Sequence, residues 1–111
     1  MRTLFILNEA PYGSERAYNA VAHEPEQEVR VFLMGDAALV AKRGQHPPAG
    51  FYNLQVMLGK IVRIAPERVG VCGVCMEARG MSDEEMLPGS HRGSIEELAQ
   101  WTIWADKVLV F

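Results

Sequence analysis

No stretch of this chain is apolar for long enough to cross a bilayer. The opening run Leu4-Phe5-Ile6-Leu7 stops at Asn8-Glu9, too short for the core of a signal peptide and far short of the ~20 residues a spanning helix needs. A cytoplasmic location is the expectation. Charge of one sign is also scarce: 11 Lys and Arg against 14 Asp and Glu leave a formal net charge of -3. Proteins that hold nucleic acid usually carry a basic patch, so neither nucleic acid nor an anionic membrane is expected as a partner. No G-x-G-x-x-G or Walker pattern occurs, which removes the usual sequence ground for a nucleotide, and no cofactor is expected. Cysteine is limited to two residues, Cys72 and Cys75. A zinc site needs two further ligands, there is no second C-x-x-C, and His23, His46 and His91 lack the paired spacing of a finger. No metal is therefore expected. Repeats, low-complexity tracts and linkers are missing as well, so residues 1–111 read as one domain with a single core.

What is present is an alternation of strand and helix signals. The apolar runs Thr3–Leu7, Val29–Met34, Val69–Cys72 and Lys107–Phe111 predict four strands. They are nearly continuous rather than alternating, which suits strands covered on both faces. Ser14 is placed to cap a helix running to about His23, and Asp36, after Gly35, to cap a short helix through Val40. Asn53 opens the clearest amphipathic stretch, with Leu54, Met57, Leu58, Ile61 and Val62 on one face. Ser82 with Glu85 and Ser94 with Glu97 have capping-box spacing. The second pair begins a helix from Ile95 to about Ala105, with Leu98, Thr102 and Ala105 on its apolar stripe and Trp101 beside it. Pro88 to Gly93 reads as a loop. The order β-α-β-α-α-β-α-β predicts an α/β layer fold with a mostly parallel sheet and right-handed crossovers. Such folds gather ligand groups at the carboxyl ends of the strands, near the point where strand order reverses.

Three post-strand segments should then share one rim. They are the stretch from Asn8 to Glu15, which holds Pro11, Tyr12, Gly13 and Ser14; Gly35-Asp36; and Cys72-Gly73-Val74-Cys75. The loop Arg43-Gly44-Gln45-His46-Pro47-Pro48 is placed to fold over that rim as a lid. Cys72 ends its strand, and Met76 to Arg79 is expected to continue as a helical turn. Backbone N–H groups at a helix start stabilise a thiolate, so the Cys72 pKa is expected to fall below its ordinary value of about 8.5. Arg79 is close enough in sequence to add to this. Cys75, one turn on, is within reach of a disulfide. On spacing alone three readings stay open: a reactive thiol, two thiols packed beneath a loop, since free cysteine is often buried, and a thioredoxin-type oxidoreductase, whose characteristic flanking residues are missing. Asp36 and Ser14 are explained by capping. Trp101 and Trp104 read as core or subunit contact, and the histidines as loop or surface residues, with His46 alone placed to attend the rim.

The fragments Ala10-Pro11-Tyr12-Gly13-Ser14-Glu15, Val31-Phe32-Leu33-Met34-Gly35-Asp36-Ala37, Arg43-Gly44-Gln45, Tyr52-Asn53, Met57-Leu58, Cys72-x-x-Cys75-x-x-x-Arg79-Gly80 and Glu97-Leu98-Ala99-Gln100-Trp101 follow one another in a specific order. With Ala105-Asp106-Lys107-Val108-Leu109 they make the chain resemble the DsrE/DsrF-like family of sulfur-relay proteins, and its small YchN-like branch most of all. The resemblance implies a three-layer α/β/α sandwich around a mostly parallel, flavodoxin-like sheet, assembled into homo-oligomers, trimers or hexamers. It also implies a sulfur carrier that holds sulfane sulfur as a persulfide, receives it from a donor protein and passes it to an acceptor. In relay members of the DsrE- and TusD-like kind six residues separate the sulfur-carrying cysteine from an Arg-Gly pair. That spacing assigns the role to Cys72, before Arg79-Gly80. Cys75 matches a second cysteine of the YchN-like branch and is the expected resolving thiol. Pro11, Tyr12, Gly13, Ser14, Arg43, Gln45 and Arg79 are the expected walls of the substrate pocket. The first helical segment, interrupted by Pro25, is shorter than in relatives. A non-catalytic module that binds a small ligand or a protein, with structural thiols, is the alternative.

Overall fold

The computed structural model describes residues 2–10, 12, 28–50, 52–64 and 67–111. The helix expected after Ser14 lies outside them. Among the described residues five strands form one sheet: β1 (Arg2–Leu7), β2 (Glu28–Leu33), β3 (Val69–Cys72), β4 (His91–Gly93) and β5 (Lys107–Val110), in the order β4-β3-β2-β1-β5. Every pairing is parallel, with Leu4 opposite Arg30, Leu33 opposite Val71, Cys72 opposite Gly93 and Leu4 opposite Val108. Four of the strands are those the apolar runs predict. The fifth, β4, falls in the segment read as a loop, because His91-Arg92-Gly93 has no apolar pattern and is recruited by the free edge of β3.

Two apolar layers lie on opposite faces of the sheet. On one face α1 (Leu54–Ile64), α2 (Gly73–Ala78) and a 3₁₀ segment at Gly35–Ala41 cover Phe5, Leu7, Val29, Val31, Leu33, Val69 and Val71. The predicted stripe of α1 is the buried one, since Leu54, Leu58, Ile61 and Val62 lie in this core with Met57 at its margin. Asn53 starts the helix by accepting a hydrogen bond from Val56 N–H at 3.2 Å. On the other face α3 (Ile95–Trp104) lays Trp101 over Leu4 and Phe32. The chain moves from β1 through β2 and β3 to β4, then returns across the sheet to β5. If right-handed crossovers are kept, a return in that direction must run over the opposite face, and α3 lies there.

Two local expectations need correction, whereas the capping box at Ser82 and Glu85 is present. Asp36 does not cap the 3₁₀ segment; Met34 holds the cap position, and Asp36 sits in the first turn with its carboxylate on Arg79. Ser82 and Glu85 bracket a single 3₁₀ turn, Asp83–Glu85, in which the Glu85 carboxylate accepts from the Ser82 N–H and hydroxyl. Thr102 is exposed and donates its hydroxyl to Leu98 O; Trp101, not Thr102, takes the buried position on α3, because the larger apolar ring removes more surface from water. The last strand also differs from a fully covered one: β5 is an edge, with Val108 and Val110 exposed.

Candidate functional site

Cys72 is the last residue of β3 and the N-cap of α2. Strand alternation turns Val71 toward the α1 face and Cys72 toward the α3 face, where it packs beside Leu4, Phe32 and Trp101. One helical turn later Cys75 comes back against the opposite core. The two sulfurs therefore meet across the end of the sheet, 2.7 Å apart, and both cysteines are free and partly exposed. The Cys72 sulfur also accepts from Cys75 N–H at 3.4 Å.

The expected lowering of the Cys72 pKa is overturned. Burial pushes the thiol above its ordinary value and the adjoining Cys75 side chain adds to this, while the Cys75 and Val74 N–H groups oppose it less strongly. The helix that was to supply the field is six residues long, so few aligned peptides stand behind its end. Arg79 does not compensate. Its Nε and Nη2 donate to Asp36 Oδ1 at 2.9 and 2.8 Å and its Nη1 to Cys75 O at 3.1 Å, so the guanidinium is committed to a carboxylate and a carbonyl.

The remaining predicted residues divide into groups. Tyr12 and Gln45 come together, the tyrosine hydroxyl donating to Gln45 Oε1 at 2.6 Å and accepting from Leu54 N–H at 3.0 Å. The Gln45 amide donates to Val40 O and Lys42 O at 2.9 Å each, so it ties the loop to the 3₁₀ segment. Beside them His46, Pro47 and Pro48 complete a cavity of about 340 Å³, which neither cysteine lines. Arg43 is drawn off to the Asp83–Glu85 turn, where its guanidinium donates to Glu84 O and its N–H to Glu85 O. Pro11, Gly13 and Ser14 lie outside the described residues.

One residue at the thiol end is invisible to motif reasoning. Arg92, on β4, donates from Nη1 to Gly73 O at 3.2 Å and to Glu77 Oε1 at 3.3 Å, and from Nε to Asp83 Oδ1 at 2.9 Å. It holds the start of α2 against the edge strand, and a Cβ at Gly73 would stand 3.0 Å from its side chain. With β4 read as a loop, no signal pointed to it. Among the described residues no three His, Cys, Asp or Glu side chains gather as a metal site would require, and no helix is long and apolar enough to cross a membrane.

The profile of the DsrE/DsrF-like family matches residues 1–111. The chain belongs to this family. It is 39% identical over 117 residues to protein YchN of Escherichia coli, covering 99% of this chain and 98% of that one. An uncharacterised protein of Methanopyrus kandleri is 34% identical over 111 residues, with 96% of this chain and 90% of the relative covered. The crystal structure of YchN from E. coli superposes with a TM-score of 0.84 at 42% identity, over the whole of both chains. A protein of unknown function from Methanobacterium thermoautotrophicum superposes with a TM-score of 0.74 at 13% identity, covering 99% and 98% of the two chains, and shares the fold. The α/β architecture of DsrE-like proteins is thus the architecture of this chain.

Proposed function

We propose that this DsrE-like protein is a cytoplasmic, homo-oligomeric sulfur carrier that holds sulfane sulfur as a persulfide on Cys72 and passes it to a partner protein. The observation that carries the reading is the thiol pair itself: two free sulfurs 2.7 Å apart at the junction of β3 and α2, both open in part to solvent. In the first step the Cys72 sulfur, as thiolate, attacks the outer sulfur of a donor persulfide. The donor's S–S bond breaks, its inner sulfur leaves as a thiolate, and Cys72-S-SH forms with no net oxidation. In the second step an acceptor thiolate takes the outer sulfur in the same way. Alternatively the Cys75 thiolate attacks the inner sulfur of Cys72-S-SH, which forms the Cys72–Cys75 disulfide and expels the outer sulfur as hydrosulfide, two electrons having passed to it. Because burial disfavours the Cys72 thiolate, the donor surface supplies part of the activation, as an exchange reaction in which a good leaving group offsets a poor thiolate fraction.

A module with structural thiols is the second reading. It is favoured by the packing of Cys75 against the core and by the separate Tyr12–Gln45 cavity. Intact mass after treatment with a persulfide donor separates the two. The carrier gains one sulfur that reductant removes; the gain is lost in Cys72→Ser and kept in Cys75→Ser. A native protein that takes up no sulfur sinks the carrier and leaves the binding module.

A further inference from the structure

Cys75 is carried by α2, and a helix of six residues is too short to hold itself in place. What docks α2 therefore decides where its side chains stand. Beyond Cys75 the helix is fixed by Met76, which is fully buried in the core. Its start is fixed from another element. Val71 and Arg92 stand opposite each other in the β3–β4 pairing, so both point to the face that α2 covers. From there Arg92 Nη1 donates at 3.2 Å to the carbonyl of Gly73, the first residue of α2.

Both partners of this bond are prepared for it. Asp83 Oδ1 accepts from Arg92 Nε at 2.9 Å and Glu77 Oε1 from Nη1 at 3.3 Å, which orients the guanidinium. Gly73 is buried, and a Cβ there would stand 3.0 Å from both Cγ and Nη1 of Arg92, so any side chain at this position crowds the arginine. The carbonyl that Arg92 holds lies between the two cysteines in sequence. Across it the Cys75 N–H donates to the Cys72 sulfur at 3.4 Å, and the sulfurs stand 2.7 Å apart. The hydrogen bonds of Arg92 go to Gly73, Glu77 and Asp83 and not to a sulfur. Its influence on the thiols is one of placement.

We propose that Arg92 is a positioning residue for the thiol pair: it holds the Gly73 carbonyl, keeps Cys75 against Cys72 and so favours closure of the Cys72–Cys75 disulfide. Without that bond the start of α2 is free to swing from the sheet, and the effective concentration of Cys75 at Cys72 falls. A further consequence rests on the carrier reading. There Arg92 sets the share of Cys72 persulfide that Cys75 cleaves, with loss of hydrosulfide, against the share handed to an acceptor.

The full chain is equilibrated in mixtures of reduced and oxidised glutathione and quenched with acid. Remaining thiols are alkylated with a maleimide, and intact mass gives the oxidised fraction. Closure turns the two thiols and one glutathione disulfide into the Cys72–Cys75 disulfide and two glutathione thiols, two electrons passing to glutathione. Arg92→Met, which keeps the stem and removes the donors, should lower this equilibrium constant about tenfold, a potential about 30 mV less negative. Arg92→Lys, which restores a charged donor, should fall between that variant and the native protein. Gly73→Ala, which displaces the guanidinium but leaves its charge, should move the same way as Arg92→Met. Glu77→Gln removes an exposed charge beside Arg92 and leaves the carbonyl bond, so its constant should stay within about twofold of the native one. In protein loaded by a persulfide donor, Arg92→Met should release hydrosulfide about tenfold more slowly. The proposal is overturned if Arg92→Met has the native constant or a more stable disulfide; should that variant lose its circular dichroism, Gly73→Ala decides in its place. An equal and opposite shift in Glu77→Gln also overturns it, since charge acting through space would then be the cause. A native protein that takes up no sulfur refutes the carrier alone, because the glutathione equilibrium still decides the part played by Arg92.

Discussion

Cys72 carries two opposing influences, and their balance decides how it reacts. Backbone donors from Val74 and Cys75 favour the thiolate; burial and the neighbouring thiol disfavour it and prevail. Alkylation of Cys72 by iodoacetamide, followed by peptide mass against pH, should therefore rise at a higher pH than for a free cysteine, whose thiol titrates at about 8.5. A midpoint at or below the free thiol refutes this. The linked stability has a definite sign: with the folded value above the unfolded one, the contribution is complete below the unfolded thiol's pKa and is lost as pH rises through the folded one. Arg79 supplies a control at the same scale. Its guanidinium is held by Asp36 and the Cys75 carbonyl, so Arg79→Gln should leave the midpoint of the alkylation profile in place. A shift toward higher pH in that variant would show the arginine charge reaching the sulfur.

Between elements, polar side chains do the joining that apolar layers leave undone. Gln45 illustrates this best, since its side chain ties two carbonyls of the 3₁₀ region, the Tyr12 hydroxyl and through it the start of α1. Replacing it by alanine leaves those partly buried groups without partners, and Gln45→Ala is expected to destabilise the fold by about 2–3 kcal/mol, read as a lower urea midpoint with unchanged slope. A loss within experimental error would show that the loop closes without it. The same elements explain what could be read in advance. α1 was legible because its apolar residues recur every three or four positions, and Asn53 and Ser94 were legible as caps, the latter accepting from Glu97 N–H at 3.2 Å. β4 was not, since three polar or small residues become a strand only when β3 offers an edge. Glu97 was half legible. Its spacing from Ser94 suggested a reciprocal cap, yet its carboxylate is taken by His91, a partner that exists only once β4 has formed. The thiol pair was read correctly as a strand-end feature. Its pKa was not, because desolvation depends on Leu4, Phe32 and Trp101 arriving from distant segments.

For the whole molecule the open question is what meets the α3 side of the sheet. Family membership was visible in the ordered fragments before any coordinate, but the order of strands was not, and it is the order that puts β5 at an edge beside β1. There Val108 and Val110 share the face of Leu4, and Val110 is 64% exposed. On α3, above the same face, Ile95 and Ile103 point outward, the latter 85% exposed. An open parallel edge with β-branched side chains is an aggregation hazard unless something covers or pairs it. The homo-oligomer proposed above provides such a cover if this face lies between subunits. Charge placed there should then separate the subunits without unfolding them, because neither Val110 nor Ile103 contributes to a buried core. Sedimentation of Ile103→Lys and Val110→Lys is expected to show a lower mass than the native protein, with helix and strand signals retained in circular dichroism. A native protein that sediments as a monomer sinks the oligomer altogether, while unchanged assembly in both variants excludes this face as its interface.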